Sequence, residues 1–327
     1  MAASSASCSS ATGGARTHDR VAGTPLSRSA HLALPPDTHT ATPAAHSFRV
    51  YQRSVTFFDP TRDTPARPPL PAKAGRLLNT LILSPVGVHG ALPLVVFAHG
   101  WDSNPYVYLR LLNKWASAGY MVAAPTFPDS ANTLAGTPVS DYIEEAWDIS
   151  FVIKMLLTGR AGPVDPARIA VAGQSNGATD VALLALDPTF YNFHIRAYLS
   201  LSGRIPPGVQ IPVDPGAPGD LLVVVGSADQ DGLYPLAEQL WTVANMTKVL
   251  ITVAGGRHLG IYISTTPVAH AVRVETLNFL NVALGVVSPR STRSSRSSGC
   301  SSVARISTAL AADAQAPLSL QVAAPAC

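Results

Sequence analysis

Residues 168–178 read Arg168-Ile-Ala-Val-Ala-Gly-Gln-Ser-Asn-Gly-Ala178. The apolar run at the start is typical of a buried strand, and the residues after Ala178 are compatible with a helix. Between them lies the pattern Gly-x-Ser-x-Gly, which holds a serine on a strained turn when it joins a strand to a helix. The neighbouring chain is expected to pass so closely that only glycine fits at Gly173 and Gly177. The following helix also points the positive end of its dipole at any anion formed beside the hydroxyl of Ser175. The segment therefore predicts a nucleophilic serine.

The rest of the chain predicts the layers around this turn. Residues 48–58 and 76–83 indicate two antiparallel strands, and from residue 92 onward apolar strand segments alternate with helical ones. The later strands are predicted at 92–98, 121–125, 169–172, 196–201, 221–225 and 248–254, and the helices at 106–118, 141–157, 178–186, 235–244 and 268–284. This order predicts an α/β fold with a mostly parallel sheet and helices on both faces.

Two connections bear on access to the serine. The segments 126–140 and 203–219 are the main insertions between predicted elements, and both are short and rich in turn-forming residues. We therefore expect no large cap over Ser175, and an open cleft.

Composition excludes several classes of protein. Apolar residues make up 47% of the chain and charged residues 13%, which permits a sizeable core. The formal net charge of +3 comes from arginines near the two ends, so the middle of the chain is not a basic nucleic-acid surface. No segment reaches the roughly 18 consecutive apolar residues typical of a membrane span. The three cysteines, Cys8, Cys300 and Cys327, lie near the ends, and the sequence predicts neither a disulfide framework nor a metal site.

Three regions follow from shifts in composition. Residues 1–46 are rich in Ala, Ser, Thr and Pro and poor in acids, which is typical of disordered leaders and of organellar targeting segments. Residues 47–287 contain all the predicted elements and form the catalytic domain. Residues 288–327 are rich first in Ser and Arg and then in Ala, and a disordered tail is predicted. Without a secretory signal, a cytoplasmic monomer is the default expectation, and organellar import stays open.

A serine hydroxyl needs a general base, and the base needs an orienting acid. In a parallel sheet such groups gather beyond the carboxyl ends of the strands. Asp229 follows the predicted strand 221–225, and His258 follows the predicted last strand. Their order along the chain, Ser175, then acid, then histidine, is the order that this kind of turn requires. We predict a catalytic role for all three, with Asp231 as the alternative acid.

An oxyanion formed during acyl transfer needs two N–H donors. The backbone N–H of Asn176, the residue after the nucleophile, is predicted as one donor. The backbone N–H of Trp101, in the loop after the strand 92–98, is predicted as the other. His99 lies beside it, and we expect its ring nitrogens to brace this loop rather than to catalyse.

The remaining candidates concern substrate contacts and structural histidines. The side chains of Trp101 and Phe127 are predicted to form an apolar wall for the acyl or alcohol group, with partly exposed packing as the alternative interpretation. His194 precedes a predicted strand and His270 opens the last predicted helix. Both positions favour a structural role.

These residues resemble the α/β-hydrolase superfamily over about residues 48–286. Within it, three runs are similar to bacterial serine esterases of the dienelactone-hydrolase-like and platelet-activating-factor-acetylhydrolase-like group, near the bacterial cutinases and polyesterases. The runs are Phe97-Ala-His-Gly-Trp101, Trp115-Ala-Ser-Ala-Gly-Tyr-Met-Val-Ala-Ala-Pro-Thr-Phe-Pro128 and Asp148-Ile-Ser-Phe-Val-Ile153.

The resemblance implies an eight-stranded fold, a triad of Ser175, His258 and Asp229, and no cofactor. It implies a serine carboxylic ester hydrolase that works through an acyl-enzyme. The open cleft expected from the short insertions indicates short to medium acyl esters as substrates. Dienelactone hydrolases carry a cysteine where this chain has Ser175, so lactone specificity does not transfer. The turn Gln174-Ser175-Asn176 also differs from the His-Ser-Met-Gly setting common in bacterial polyesterases, and it matches plant chlorophyllases loosely.

Three alternatives stay open at this stage. The first is a polyester hydrolase of the cutinase kind. The second is a serine peptidase of the prolyl-oligopeptidase type, which usually carries a gating domain larger than the residues before 47 can form. The third is a non-catalytic binding protein that has kept the fold, although such proteins usually lose the nucleophile or the base.

Overall fold

A mixed sheet of nine strands forms the centre of the chain. The computed structural model describes residues 47–209, 218–286 and 318–323. The strands are β1 (Val50–Asp59), β2 (Arg76–Pro85), β3 (Leu92–Ala98), β4 (Met121–Thr126), β5 (Val164–Gln174), β6 (Ile195–Leu201), β7 (Asp220–Gly226), β8 (Thr247–Val253) and β9 (Leu318–Ala323). Their order across the sheet is β1-β2-β4-β3-β5-β6-β7-β8-β9. The six strands from β4 to β8 are parallel, whereas β1, β2 and β9 pair antiparallel with their neighbours.

Helices cover both faces of this sheet. They are α1 (Leu109–Ala116), α2 (Tyr142–Leu157), α3 (Asn176–Leu186), α4 (Leu233–Val243), α5 (Gly260–Ile263) and α6 (Pro267–Ala283). Helices α2, α3 and α4 pack on one face, and α1, α5 and α6 pack on the other. A strand between two such layers is buried on both sides, which is why β3 is a continuous apolar run with every residue buried.

The predicted architecture is confirmed, with differences at the ends of elements. All eight predicted strands are present, and helices follow β3, β4, β5, β7 and β8 as expected. The described residues between β4 and α2 and between β6 and β7 contain no helix, in agreement with the prediction that no large cap exists. The predicted helix 106–118 is divided, because Pro105–Tyr108 forms a 3₁₀ turn before α1. Strand β5 begins at residue 164, five residues before its apolar run.

One strand was not expected. Residues 318–323, inside the predicted disordered tail, form β9 and pair antiparallel with β8 from Lys248↔Ala323 to Val253↔Leu318. For these residues the prediction of disorder is wrong, because their N–H and C=O groups complete an otherwise unpaired sheet edge. Leu318 and Val322, on the same face of the strand, pack against the core formed with α1 and α6. The predicted leader 1–46 and the rest of the predicted tail lie outside the described residues.

A buried ion-pair network joins the antiparallel part of the sheet to α2. The Arg76 guanidinium, fully buried at the start of β2, donates to Asp129 Oδ2 at 2.6 Å and to both carboxylate oxygens of Asp148 at 2.6 and 2.8 Å. Arg62 donates to Asp148 Oδ1 at 2.6 Å from the other side. Burial raises the pKa of Asp129 to about 6, against the opposing effect of the Arg76 charge. The network fixes the loop after β4 against α2.

We expect Arg76→Met to lower the free energy of unfolding by about 3–5 kcal/mol, because two buried carboxylates would lose a counter-charge. Urea unfolding at neutral pH measures this change. Arg53→Met, an exposed arginine on β1, is the matched control and should change stability by less than about 0.5 kcal/mol. Equal effects of the two substitutions would contradict the assignment of this network to the stability of the fold.

The helices of the described residues give no candidate for a membrane span, since none combines the necessary length and apolarity.

Candidate active site

The turn between β5 and α3 places Ser175 in a strained conformation. Its backbone angles are φ 58° and ψ −117°, in the left-handed region that side chains rarely adopt. A Cβ at Gly173 would collide with the carbonyl of Gly177, and a Cβ at Gly177 would collide with the carbonyl of Ala98. The prediction that only glycine fits at these two positions is therefore confirmed. The Ser175 side chain lies at the carboxyl end of β5 and is half-buried, which leaves it accessible.

The next two predicted residues lie together at the same edge of the sheet. Asp229 follows β7, His258 follows β8, and His258 Nδ1 is 2.9 Å from Asp229 Oδ2. The Asp229 side chain is fully buried. The two loops approach so closely that a Cβ at Gly226 would collide with the carbonyl of Gly256. This contact leaves the Asp229 carboxylate directed at the histidine ring, where it can fix the ring orientation and the tautomer.

The other ring nitrogen of His258 has two different neighbours. Gln174 Nε2 is 3.2 Å from His258 Nε2, and Asp231 Oδ2 is 3.3 Å from it. The Asp231 side chain is 54% exposed. A hydrogen bond between Ser175 Oγ and His258 is absent from the hydrogen bonds of residues 47–209 and 218–286. The structure thus brings the predicted acid and base into contact, and it places Gln174, the neighbour of the predicted nucleophile, against the base.

The loop after β3 lies directly against the serine. A Cβ at Gly100 would be 3.2 Å from Ser175 Cβ, so the backbone of this loop passes beside the nucleophile. Neither Trp101 N–H nor Asn176 N–H donates a hydrogen bond to any residue that the structure describes. Free N–H groups beside a nucleophile are suited to binding an oxyanion. The pairing of Trp101 and Asn176 as donors stays a prediction.

Two residues that the sequence did not single out connect this loop to the turn. The Tyr108 hydroxyl donates to Gln174 Oε1 at 2.7 Å and accepts from Gly100 N–H at 3.2 Å. Gln174 Nε2 also donates to the carbonyl of His258 at 3.2 Å. Buried side chains linked in this way hold β3, β5 and β8 in fixed relative positions. The only sequence signal for Gln174 is its place next to Ser175.

The structure confirms one side-chain prediction and corrects another. His99 is buried, with Nδ1 2.9 Å from Gly100 O and Nε2 accepting from Phe127 N–H at 3.1 Å, so its ring braces the loop as expected. Burial lowers its pKa to about 4, which keeps the ring neutral. Phe127 was predicted to form part of an apolar wall for substrate. Its side chain is fully buried against the His99 ring, so it does not reach the cleft, whereas Trp101 is 52% exposed.

The other two predicted structural histidines lie away from the triad residues. His194 is exposed before β6, where its N–H donates to Asn192 Oδ1 at 3.1 Å. His270 is exposed in the first turn of α6. The structure brings neither of them to Ser175 or His258 through a hydrogen bond.

A half-open cavity of about 550 Å³ lies at the same edge of the sheet. It is bounded by the β1–β2 connection, the 3₁₀ turn and the loop after β4. Its apolar lining includes Phe58, Leu70, Leu77, Tyr106, Pro128 and Leu134. Asp102 N–H donates to Ser130 O, and Asn132 Nδ2 donates to Asp102 O, so one wall of the cavity is tied to the Trp101 loop. The size and lining are typical of a small-molecule site.

One group of side chains has donor atoms placed for a cation. Asp229, Asp231 and His258 bring ligand atoms within 4.8 Å of one another, and they form the one such group in the described part of the chain. The base of a triad needs the contact that His258 Nδ1 makes with Asp229. It must exchange the contact that Nε2 makes with Asp231 for one with the serine hydroxyl. The same arrangement therefore also fits acid–base chemistry.

Comparison with known proteins bears on the fold. Residues 63–204 match the model of the family described as Chlorophyllase, a span that includes Trp101 and Ser175 and ends before Asp229. Among solved structures, the chain is similar to a ferulic acid esterase from Streptomyces cinnamoneus, with a TM-score of 0.56 and 18% identity. That match covers 78% of this chain and 96% of the esterase. The curated proteins give no match to the sequence. The two matches support an α/β-hydrolase-type fold and an esterase as the kind of protein that the chain resembles.

Proposed function

We propose that this chain is a serine carboxylic ester hydrolase that acts through an acyl-enzyme on Ser175. One observation carries the proposal: a serine on a strained strand-to-helix turn lies at the same sheet edge as a histidine held at 2.9 Å by a buried aspartate. Structural ion pairs do not require a strained serine beside them. A buried acid that orients a base next to such a serine is the arrangement that activates a hydroxyl.

In the proposed first half-reaction, Ser175 Oγ attacks the ester carbonyl carbon while His258 Nε2 takes the hydroxyl proton. Asp229 stabilises the resulting imidazolium through Nδ1–H. His258 then gives the proton to the leaving alkoxide, and the acyl group stays on Ser175. For this, His258 Nε2 must exchange its contacts with Gln174 and Asp231 for Ser175 Oγ. Hydrogen bonds of this kind often tighten only when substrate is bound.

The second half-reaction uses the same groups. Water gives a proton to His258 Nε2 and attacks the acyl carbon, and the proton passes to Ser175 Oγ as the acid leaves. In both halves the carbonyl oxygen becomes an oxyanion, for which the N–H groups of Trp101 and Asn176 are the proposed donors. The positive end of α3 adds to this stabilisation, since the helix begins at Asn176.

The short connections around Ser175 favour short to medium acyl esters. The lining of the cavity does not include Ser175, His258 or Trp101. The exposed Trp101 side chain is therefore the proposed apolar contact for the acyl or alcohol group, in place of the predicted wall that included Phe127. The ferulic acid esterase match motivates an aryl ester as one substrate to test. No observation in the described residues favours the peptidase alternative, whose members usually carry a separate gating domain.

The proposal is tested with p-nitrophenyl esters from acetate to palmitate, together with ethyl ferulate, a polyester film and a peptide p-nitroanilide. We expect kcat/KM to be highest for acetate to octanoate and lower for palmitate by tenfold or more. The preparation that hydrolyses the esters should also be labelled by a fluorophosphonate probe, and the label should map to Ser175. Hydrolysis of the peptide alone would support the peptidase alternative. Absence of both labelling and turnover would support a binding protein.

A further inference from the structure

Asn176 is held by a second layer of side chains behind the nucleophile. Its amide Nδ2 donates to Glu145 Oε2 at 2.9 Å, and its Oδ1 accepts from Ser140 Oγ at 2.6 Å. Both bonds come from outside α3, so they fix the first residue of this helix against α2 and the segment before it. Because Asn176 directly follows Ser175, any shift of Asn176 also moves its backbone N–H relative to the serine.

The carboxyl group of Asp180 lies within hydrogen-bonding reach of the Glu145 carboxyl group. Asp180 lies one turn after Asn176 on α3, so both side chains face α2 from the same side. Glu145 and Asp180 are fully buried. Three of their four carboxyl oxygens, Glu145 Oε1 and both oxygens of Asp180, accept no hydrogen bond from any other described residue. Two adjacent carboxylates that lack donors cannot both keep a negative charge in the interior, whereas one shared proton supplies the missing donor.

The charges around this pair favour the proton. Burial raises the pKa of Glu145 to about 8, and the negative charges of Asp148, Asp129 and Asp141 add to this effect. The Ser130 hydroxyl opposes it from nearby, although its Oγ makes no hydrogen bond of full geometry to any described residue. Burial also raises the pKa of Asp180 far above its ordinary range, with the charge of Glu145 as the next cause.

The nearby arginines do not neutralise the pair. The guanidinium groups of Arg76 and Arg62 bind Asp148, Asp129, Asp59 and Glu144 instead. Nothing positive therefore contacts Glu145 or Asp180 among the described residues.

We propose that Glu145 and Asp180 share one proton and act together as a positioning pair for Asn176. This rests on the proposed function, in which the Asn176 N–H binds the oxyanion. While the proton is present, Glu145 Oε2 accepts from the Asn176 amide and the start of α3 is held. When a base in solution removes the proton, two buried carboxylates repel, and the contact that fixes Asn176 is weakened. The pair thereby sets an alkaline limit for the oxyanion site that is independent of His258.

The first test is the proton itself. Infrared difference spectra between pH 7 and pH 10 should show the carbonyl band of a protonated carboxyl group in the wild type, and Glu145→Gln and Asp180→Asn should each remove it. The same spectra of Glu144→Gln, the neighbouring acid that binds Arg62, are the control and should keep the band. A wild type without the band would overturn the shared proton. Because this readout needs no substrate, it stands even if ester hydrolysis is not found.

The second test is kinetic. Glu145→Ala should lower kcat by tenfold or more with KM changed by less than threefold, because the oxyanion donor is loosened while the substrate cleft is left intact. In Glu145→Gln a neutral amide replaces the shared proton, so the ratio of kcat at pH 9.5 to kcat at pH 7 should rise at least threefold over the wild-type ratio. Asp180→Asn should raise the same ratio and serves as the second variant if Glu145→Gln does not fold. An unchanged ratio in both variants would overturn the positioning role.

The pair also determines the direction of a stability change. The pKa of Glu145 in the folded protein lies above its ordinary value of 4.5, so its contribution to stability is complete below that pH and is lost as pH rises toward about 8. The midpoint of urea unfolding of the wild type should therefore fall over this range, and Glu145→Gln should reduce the fall. A fall of equal size in Glu145→Gln would contradict the assignment to this pair.

Discussion

Replacing Ser175 by alanine is expected to lower kcat/KM for p-nitrophenyl acetate by at least about 10⁴-fold, because the nucleophile of a triad acts as one unit with its base. The change removes one oxygen from a half-buried side chain, so the fold should persist. The strained φ of 58° also remains in alanine, and the melting temperature should change little. Steady-state kinetics of freshly purified wild type and variant at equal protein concentration measures the effect, and fluorophosphonate labelling should be lost in the variant.

The matched control for this substitution is Ser117→Ala. Ser117 caps the end of α1, where its hydroxyl donates to Lys114 O at 3.1 Å, away from the turn after β5. We expect wild-type kcat/KM within twofold and full labelling. Activity that survives in Ser175→Ala with unchanged substrate preference would remove Ser175 from the proposed mechanism, and labelling of another serine would identify the replacement.

The second large effect separates the two aspartates near His258. Asp229→Asn should lower kcat by about 10³–10⁴-fold, because an amide beside Nδ1 favours the wrong tautomer of the ring. Asp229 is buried and contacts Nδ1, the nitrogen that an orienting acid must hold. Asp231 is half-exposed and contacts Nε2, the nitrogen that must face the serine. Asp231→Asn should therefore change kcat by less than about fivefold.

The two variants are measured side by side over a pH series. Each replaces one carboxylate oxygen by an amide nitrogen, at positions two residues apart, so each is a control for the other. A large loss in Asp231→Asn with a small one in Asp229→Asn would make Asp231 the catalytic acid, which the sequence left open. Large losses in both would indicate that His258 uses the two carboxylates in turn. Small losses in both would remove both carboxylates from the proposed mechanism.

Local patterns made the fold and the centre of the site predictable. The need for glycine at positions 173 and 177 could be predicted from the Gly-x-Ser-x-Gly pattern. The turn after β5 indeed leaves no room for a Cβ at either position. Asp229 and His258 could be assigned because each directly follows a strand, and parallel strands end at one edge of a sheet. The contact between them follows from topology rather than from any motif.

Other features depend on contacts that no local pattern reports. Phe127 follows β4 at the correct edge, yet it turns under His99 into the core, and sequence position does not distinguish these two directions. Glu145 lies on α2 close to two other acidic residues, Glu144 and Asp148. A run of charged residues of this kind indicates a solvated helix face. Its burial against Asp180 depends on how α2 packs on α3.

Strand β9 was missed for a different reason. The alternation of Leu318, Leu320 and Val322 with polar residues is a period-two signal, but it lies in a region whose composition predicts disorder.

The position of β9 in the chain has a consequence for the order of assembly. Its partner β8 is synthesised before α6 and before the residues between α6 and Leu318. Until β9 has been made, β8 is therefore the edge strand of the sheet, and one side of its backbone has no strand to pair with. During translation, the domain is therefore nearly complete while one edge of its sheet still presents unpaired N–H and C=O groups that can pair with another chain. The last contact made in the sheet therefore joins segments far apart in sequence, and nascent chains would be most vulnerable to pairing with one another just before it forms.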